Sequence, residues 1–304
     1  MTTEQAPVYH SLTGADSALI RHPSPFLTCP ASAFGKPVCR LGLASRGWPA
    51  SAMSPDDVFH AIDRGVNFLN WPGEADEPGG ADAVSDAIAS LGPARESVVV
   101  CVQLGAGTAM DAAGELRSIL ATLRTEYIDV LTFYYVQKAA EWRALIGPGG
   151  VLDYCRAAQR DGIVRSLGIT SHQRALAAEV ARSGLVDVLM IRYNAAHRGV
   201  EREVFPVIDA VGMPVIAYTA LRWGALLEPT PDDPPGFRVP RAPEWYRFAL
   251  QSPSVAVVLA APASRAELDF DLEVLNAAGP LSPSEYARLA EHGERVRRHA
   301  CRFR

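Results

Sequence analysis

The sequence lacks the features that would mark a membrane, secreted or nucleic-acid-binding protein. Its five cysteines, Cys29, Cys39, Cys101, Cys155 and Cys301, are odd in number and far apart, and no Cys-x-x-Cys occurs. That disfavours iron–sulfur and structural zinc sites and suits reduced, mostly buried thiols of a cytoplasmic protein. No stretch reaches the ~18 uninterrupted apolar residues that a membrane span needs. Residues 1–5 are polar and lack the charged-then-apolar order of a signal peptide. Lys and Arg total 29 against 34 Asp and Glu, a net charge of −5, so no basic surplus exists to neutralise a phosphate backbone. What is present is ordinary for a globular protein: 304 residues, 48% hydrophobic and 21% charged. That length admits two domains, or one α/β barrel.

Residues 1–31 have weak periodicity and carry Pro7, Pro23, Pro25 and Pro30, and they are expected to form an irregular extension. Beyond them, short β-branched runs alternate with amphipathic ones. Strands are predicted at 38–44, 66–70, 97–103, 128–135, 164–169, 186–193, 214–218 and 255–259. Helices are predicted at 54–64, 81–91, 110–123, 139–160, 173–183, 200–211, 242–251 and 264–276. Strict alternation implies parallel strands with helical crossovers, and eight units in this length fit a single (β/α)8 TIM barrel over 32–304 better than a doubly wound sheet. Residues 282–299, opening with Ser282-Pro283-Ser284-Glu285, read as an extra C-terminal helix. Residues 229–243 hold six prolines and read as a loop over one barrel face.

Such a barrel places its site at the C-terminal strand ends. The second strand delivers Asn70 and Trp71, followed by Glu74 and Asp76, and the third delivers Gln103. The fourth ends in Tyr134-Tyr135, the fifth in Thr170-Ser171-His172, and the sixth in Tyr193-Asn194 with His197 following. The seventh gives Tyr218-Thr219 and then Trp223, and the eighth leads to Ser264-Arg265. This ring is polar and aromatic, and no nucleophile–base–acid set stands out. A metal site from His172, His197, Glu74 and Asp76 is disfavoured, because spacing does not show their approach. Gly105-Ala106-Gly107 lacks a third glycine, with Met110 in its place, and reads as a turn. Tyr134 should project into the mouth and Tyr135 should face the other way, since side chains alternate along a strand.

Several segments resemble the aldo/keto reductases. Phe34-Gly35-Lys36-Pro37-Val38-Cys39-Arg40-Leu41-Gly42-Leu43 resembles that family's opening hairpin and first strand. Ala61-Ile62-Asp63-Arg64-Gly65-Val66-Asn67-Phe68-Leu69 resembles the approach to its second strand. Asp161-Gly162-Ile163-Val164-Arg165-Ser166-Leu167-Gly168-Ile169-Thr170 resembles its fifth, and Val215-Ile216-Ala217-Tyr218-Thr219-Ala220-Leu221 its seventh. The resemblance implies a hydride-transferring oxidoreductase with NADP or NAD as cofactor and a small carbonyl or imine substrate. It also implies an Asp, Tyr, Lys and His tetrad, whose positions hold Asn70, Ala75, Gln103 and Tyr134. With the family's tyrosine position held by Ala75, Tyr134 is read as the best proton donor among the residues present, with Asn70 and Gln103 holding the carbonyl by hydrogen bonds. Thr170, Tyr218, Thr219, Ser264 and Arg265 fall on the cofactor side, with Met190 at a carboxamide-contacting position and Asp271 at an adenine-contacting one. Trp71, Tyr193, His197 and Trp223 are expected to contact the substrate. Two other readings stay open: a lyase or isomerase using Glu74 or Asp76 as base, and a barrel that only binds a ligand.

Overall fold

The computed structural model describes residues 24–30, 32–46, 51–73 and 82–299. Strands β1 (Thr28–Cys29) and β2 (Val38–Cys39) form an antiparallel pair. Eight parallel strands follow: β3 (Leu41–Ala44), β4 (Phe68–Trp71), β5 (Val99–Leu104), β6 (Ile128–Phe133), β7 (Val164–Ser171), β8 (Val188–Arg192), β9 (Val215–Tyr218) and β10 (Val255–Ala260). Each pairs with the next, and β10 returns to β3, so the sheet closes on itself. The crossovers carry α1 (Pro55–Asp63), α2 (Ala83–Ala89), α3 (Ala109–Thr122), α4 (Ala139–Ile146), α5 (Val151–Arg160) and α6 (Arg174–Ser183). They continue with α7 (Val200–Glu203), α8 (Phe205–Val211), α9 (Ala242–Leu250) and α10 (Arg265–Asp271), and α11 (Pro283–His299) is the extra helix. The predicted (β/α)8 barrel is therefore observed. No helix of the described residues is long and apolar enough to cross a membrane.

Local chemistry sets the departures from the predicted elements. The helix expected over 139–160 is two helices, broken at Gly147-Pro148-Gly149-Gly150. Gly149 adopts φ +68°, and a Cβ on Gly150 would sit 2.7 Å from the carbonyl oxygens of Leu145 and Gly147. The helix expected over 200–211 divides at Val204, since Pro206 has no N–H to extend the ladder. The helix expected over 264–276 ends at Asp271 and passes into a 3-10 turn. Residues 25–29 of the expected irregular extension instead form a 3-10 turn and β1, and residues 1–23 lie outside the described residues. The proline-rich loop is pinned to α11, where Asp233 Oδ1 accepts from Arg295 Nε at 2.6 Å and lies 3.0 Å from His292 Nδ1.

Side chains alternate along each strand between the lumen and the helix layer. The lumen is filled by Phe68, Val99, Cys101, Val130, Val188, Ile216, Val257 and Leu259. Gly42 faces it too: a Cβ there would lie 2.9 Å from both Leu259 and Val257, so only glycine lets these side chains close over β3. Phe34, between β1 and β2, plugs the lower end with its ring 5.2 Å from that of Phe68. Asp129, wholly buried near the start of β6, binds that end together. It receives Arg95 Nη1 at 2.8 Å, Arg165 Nη1 at 2.9 Å, Lys36 Nζ at 3.1 Å and the Val100 N–H at 3.0 Å.

Candidate active site

At the upper, C-terminal end the same alternation brings polar residues into the lumen. Asn70 follows Phe68 on β4, Gln103 follows Cys101 on β5, and Tyr218 follows Ile216 on β9. Asn70, Gln103, Thr170, Met190 and Tyr218 line one cavity of about 460 Å³. Tyr134 and Tyr135 line it from just beyond β6. The cavity continues along Thr219, Leu221, Trp223 and Leu227 to Tyr246, Glu267, Phe270 and Asp271.

Three polar groups inside it are poorly satisfied. Asn70 Oδ1 and the Tyr218 hydroxyl are buried without a hydrogen-bond partner. Gln103 Nε2 donates only to the Met190 thioether at 3.5 Å, a weak acceptor. Native proteins leave few buried polar groups unpaired, so this convergence makes the cavity the candidate site. Burial raises the Tyr218 phenol well above its usual pKa, so its hydroxyl stays protonated and can donate.

The far end carries two carboxyl groups, Glu267 and Asp271, beside Arg46. Burial raises the Asp271 carboxyl to about 7, although the Tyr246 hydroxyl donates to it at 3.0 Å. Glu267 Oε2 accepts from the Ala263 N–H at 2.7 Å and lies 3.4 Å from Arg46 Nη1. Ser264 and Arg265 do not line the cavity. Ser264 Oγ caps α10 by accepting the Glu267 N–H, and Arg265 is held by Asp57 at 3.3 Å and Asp269 at 3.1 Å.

Of the expected substrate contacts, only Trp223 lines the cavity. Trp71 alternates with Asn70 and so packs outward into the core between strands and helices. Tyr193 also faces outward: it is 1% exposed, donates to Glu201 at 2.9 Å and packs against Phe205 and Phe248. His197 is turned back onto Asn194, its Nδ1 3.1 Å from Asn194 Oδ1. Burial, with Arg192 and Arg222 nearby, pulls its pKa down to about 3. The expected opposition of Tyr134 and Tyr135 does not hold. The strand ends at Phe133, Tyr135 takes φ +51°, and the two rings meet at 4.7 Å on the same wall. Glu74, Asp76 and the tetrad position Ala75 lie outside the described residues. Among the described residues no group of His, Cys, Asp and Glu could hold a metal.

A family model for the aldo/keto reductases matches residues 41–245. The chain belongs to the aldo/keto reductase family. Solved structures with the same fold include the holo form of aldo-keto reductase AKR11C1 from Bacillus halodurans. It is 17% identical, with a TM-score of 0.67, and the match covers 87% of this chain and 95% of that one. An aldo/keto reductase from Klebsiella pneumoniae in complex with NADP and acetate is 17% identical, with a TM-score of 0.67 and coverage of 85% and 93%. A putative 2,5-diketo-D-gluconic acid reductase B is 21% identical, with a TM-score of 0.65 and coverage of 88% and 92%. No curated protein matches the chain.

Asn70, Gln103 and Tyr134, at three of the positions where the resemblance implies the tetrad, all line the cavity. The chain has two lysines, and neither lines it: Lys36 sits at the opposite end on Asp129, and Lys138 is exposed beside Glu141. Tyr246 and Phe270 were not legible as site residues, because both sit on apolar helix faces that read as core. Tyr135 was missed because its left-handed turn is not written in the strand pattern.

Proposed function

We propose that this protein is a nicotinamide-dependent oxidoreductase that reduces a small carbonyl or imine substrate without favouring NADP over NAD. One observation supports it above others: a single cavity runs from the ring of Asn70, Gln103, Thr170 and Tyr134, past Tyr218, to the loop before α10 and to Asp271. Its volume lies in the range of small-molecule sites, and family membership supplies the cofactor class.

The residues present fit one half of the dinucleotide and not the other end of its phosphorylated form. Tyr218 offers a buried aromatic wall with an unpaired hydroxyl, and Asn70 offers an unpaired amide oxygen, which suits a carboxamide-bearing ring. At the α10 end, a 2′-phosphate would meet Glu267 and Asp271; Arg46, which also lines that end, is engaged by Glu267 at 3.4 Å, and Arg265 is spanned by two carboxylates. The bound dinucleotide would supply the hydride. Gln103 Nε2 would leave the thioether for the stronger carbonyl acceptor and orient the substrate with Asn70. Tyr134 would donate its phenolic proton to the carbonyl oxygen as negative charge develops there, and would regain a proton from water through the open side of the mouth. No lysine stands by to acidify that phenol, so the reaction is slow beside that of a family member with an intact tetrad.

Fluorescence titration with NADH and NADPH tests the reading. Both should bind weakly and within tenfold of each other. A well-recognised 2′-phosphate would favour NADPH by about a hundredfold, some 2.7 kcal/mol at 1.36 kcal/mol per decade, and would refute it. So would no binding of either nucleotide.

A further inference from the structure

Beside the main cavity lies a second, more open one, lined by Tyr135, Gln137, His172, Gln173, Arg174, Arg192 and Trp223. Tyr135 and Trp223 line both cavities, so a ligand in one can reach the other past these two rings. Resting on the oxidoreductase reading above, we infer that this second cavity holds the carboxylate of the substrate, which makes the substrate an oxo or imino acid.

Every titratable side chain lining the cavity is a cation, a neutral histidine or a phenol; no Asp or Glu lines it among the described residues. Arg192 ends β8 half-buried, and its positive charge acts on its neighbours: it helps lower the pKa values of His172, His197 and Arg222. His172 is brought down to about 4, by burial first and Arg192 second, so its ring is neutral at pH 7. Its Nε2 lies 3.2 Å from the Tyr135 hydroxyl. Arg174 pairs with Glu203 at 2.8 Å, and Arg192 adds a second guanidinium to the same wall.

Gln137 supplies the second observation. Its Oε1 accepts the His172 N–H at 3.2 Å, which fixes the amide, and its Nε2 is buried with no partner. A fixed, unpaired N–H donor on the wall that carries a guanidinium is a site for an anionic oxygen. The first turn of α6 opens on the same wall, and its N-cap Gln173 makes no side-chain cap bond. That adds the positive end of a ten-residue helix. Tyr135 is held in the left-handed region at φ +51°, a strained conformation that surrounding structure must enforce. It places the phenol on the boundary between carbonyl and carboxylate.

Calorimetry on the cofactor-free protein decides this, with benzoylformate as probe, its methyl ester as the neutral control and inorganic phosphate as competitor. Benzoylformate should bind and the ester should not. Arg192→Gln should weaken benzoylformate at least about tenfold and Arg192→Lys less, while Gln137→Met should cost about threefold. Gln137→Met keeps the question decidable if Arg192→Gln does not fold. Equal affinity for acid and ester, or unchanged affinity in both Arg192→Gln and Gln137→Met, overturns the inference. Phosphate binding tenfold more tightly than benzoylformate overturns the carboxylate assignment. Because no nucleotide is present, these outcomes are independent of the NADH and NADPH titration.

Discussion

Asp271 gives the fold a pH dependence that one substitution should remove. Its carboxyl is 4% exposed, and its folded pKa is about 7 against 3.8 in an open chain, with burial as the main cause. Below pH 3.8 both states are protonated and the group has no effect. As pH rises, the unfolded chain releases its proton first, so stability falls between pH 3.8 and about 7 and then levels off. Three units at 1.36 kcal/mol each give about 4 kcal/mol over that window, and about 2 kcal/mol between pH 5 and 7, where the folded group is already half ionised. His172 and His197 act in the opposite sense, because their folded pKa values of about 4 and 3 lie below the usual 6.5. They stabilise the fold as pH rises toward 6.5. Comparing wild type with Asp271→Asn cancels their contribution. Asparagine keeps an oxygen for the Tyr246 hydroxyl and does not ionise. Urea unfolding at pH 5, 6, 7 and 8 should show the mutant gaining about 2 kcal/mol on wild type from pH 5 to 7 and little more by pH 8. In thermal midpoints that is about 4–8 °C. A gap that stays constant from pH 5 to 8 would show that Asp271 ionises normally in the fold.

Further outcomes follow from the mouth and the outer helix. Tyr134→Phe should lower turnover of the natural substrate by about 10²–10⁴-fold with little change in melting temperature, as expected of a proton donor at the cavity wall. Tyr135→Phe should chiefly raise KM, since its hydroxyl meets His172; a dead Tyr135→Phe beside an active Tyr134→Phe would move the proton donor one residue on. Nitrobenzaldehyde with NADPH should show no useful turnover, and rates typical of the family would mean that another residue replaces the tetrad tyrosine in full. Gly293→Ala should destabilise by roughly 1–3 kcal/mol in chemical denaturation. The new Cβ would lie 2.5 Å from Ala195, so α11 would have to lift, and an unchanged midpoint would contradict that packing.

The barrel was legible because two periodicities alternate along the chain, and Asn70, Gln103, Thr170 and Tyr218 because every second strand residue faces the lumen. The same rule excludes Trp71, the direct neighbour of lumen-facing Asn70, and a stricter use of it would have set that residue aside. Tyr193 follows Arg192 and turns outward for the same reason. Tyr135 was misplaced because the strand stops at Phe133, and no local residue announces a left-handed tyrosine. Arg265 looked available in sequence, yet one of its partners, Asp57, is 208 positions away. Arg192 and Gln137 carried no motif; only closure of the barrel sets them on one wall.

The cluster at Asp129 also bears on how this protein can change over time. It draws the hairpin, the turn before β5 and the start of β7 onto one buried carboxylate at the closed end, and losing one partner of such a group costs several kcal/mol. Much of the fold's tolerance for substitution is therefore held far from the mouth. Residues around Asn70, Gln103 and Met190 can be exchanged while folding rests on the opposite pole, so the chain can lose one chemistry and acquire another without passing through an unfolded ancestor. A library randomised at those three positions should remain largely folded, whereas Asp129→Ala should not.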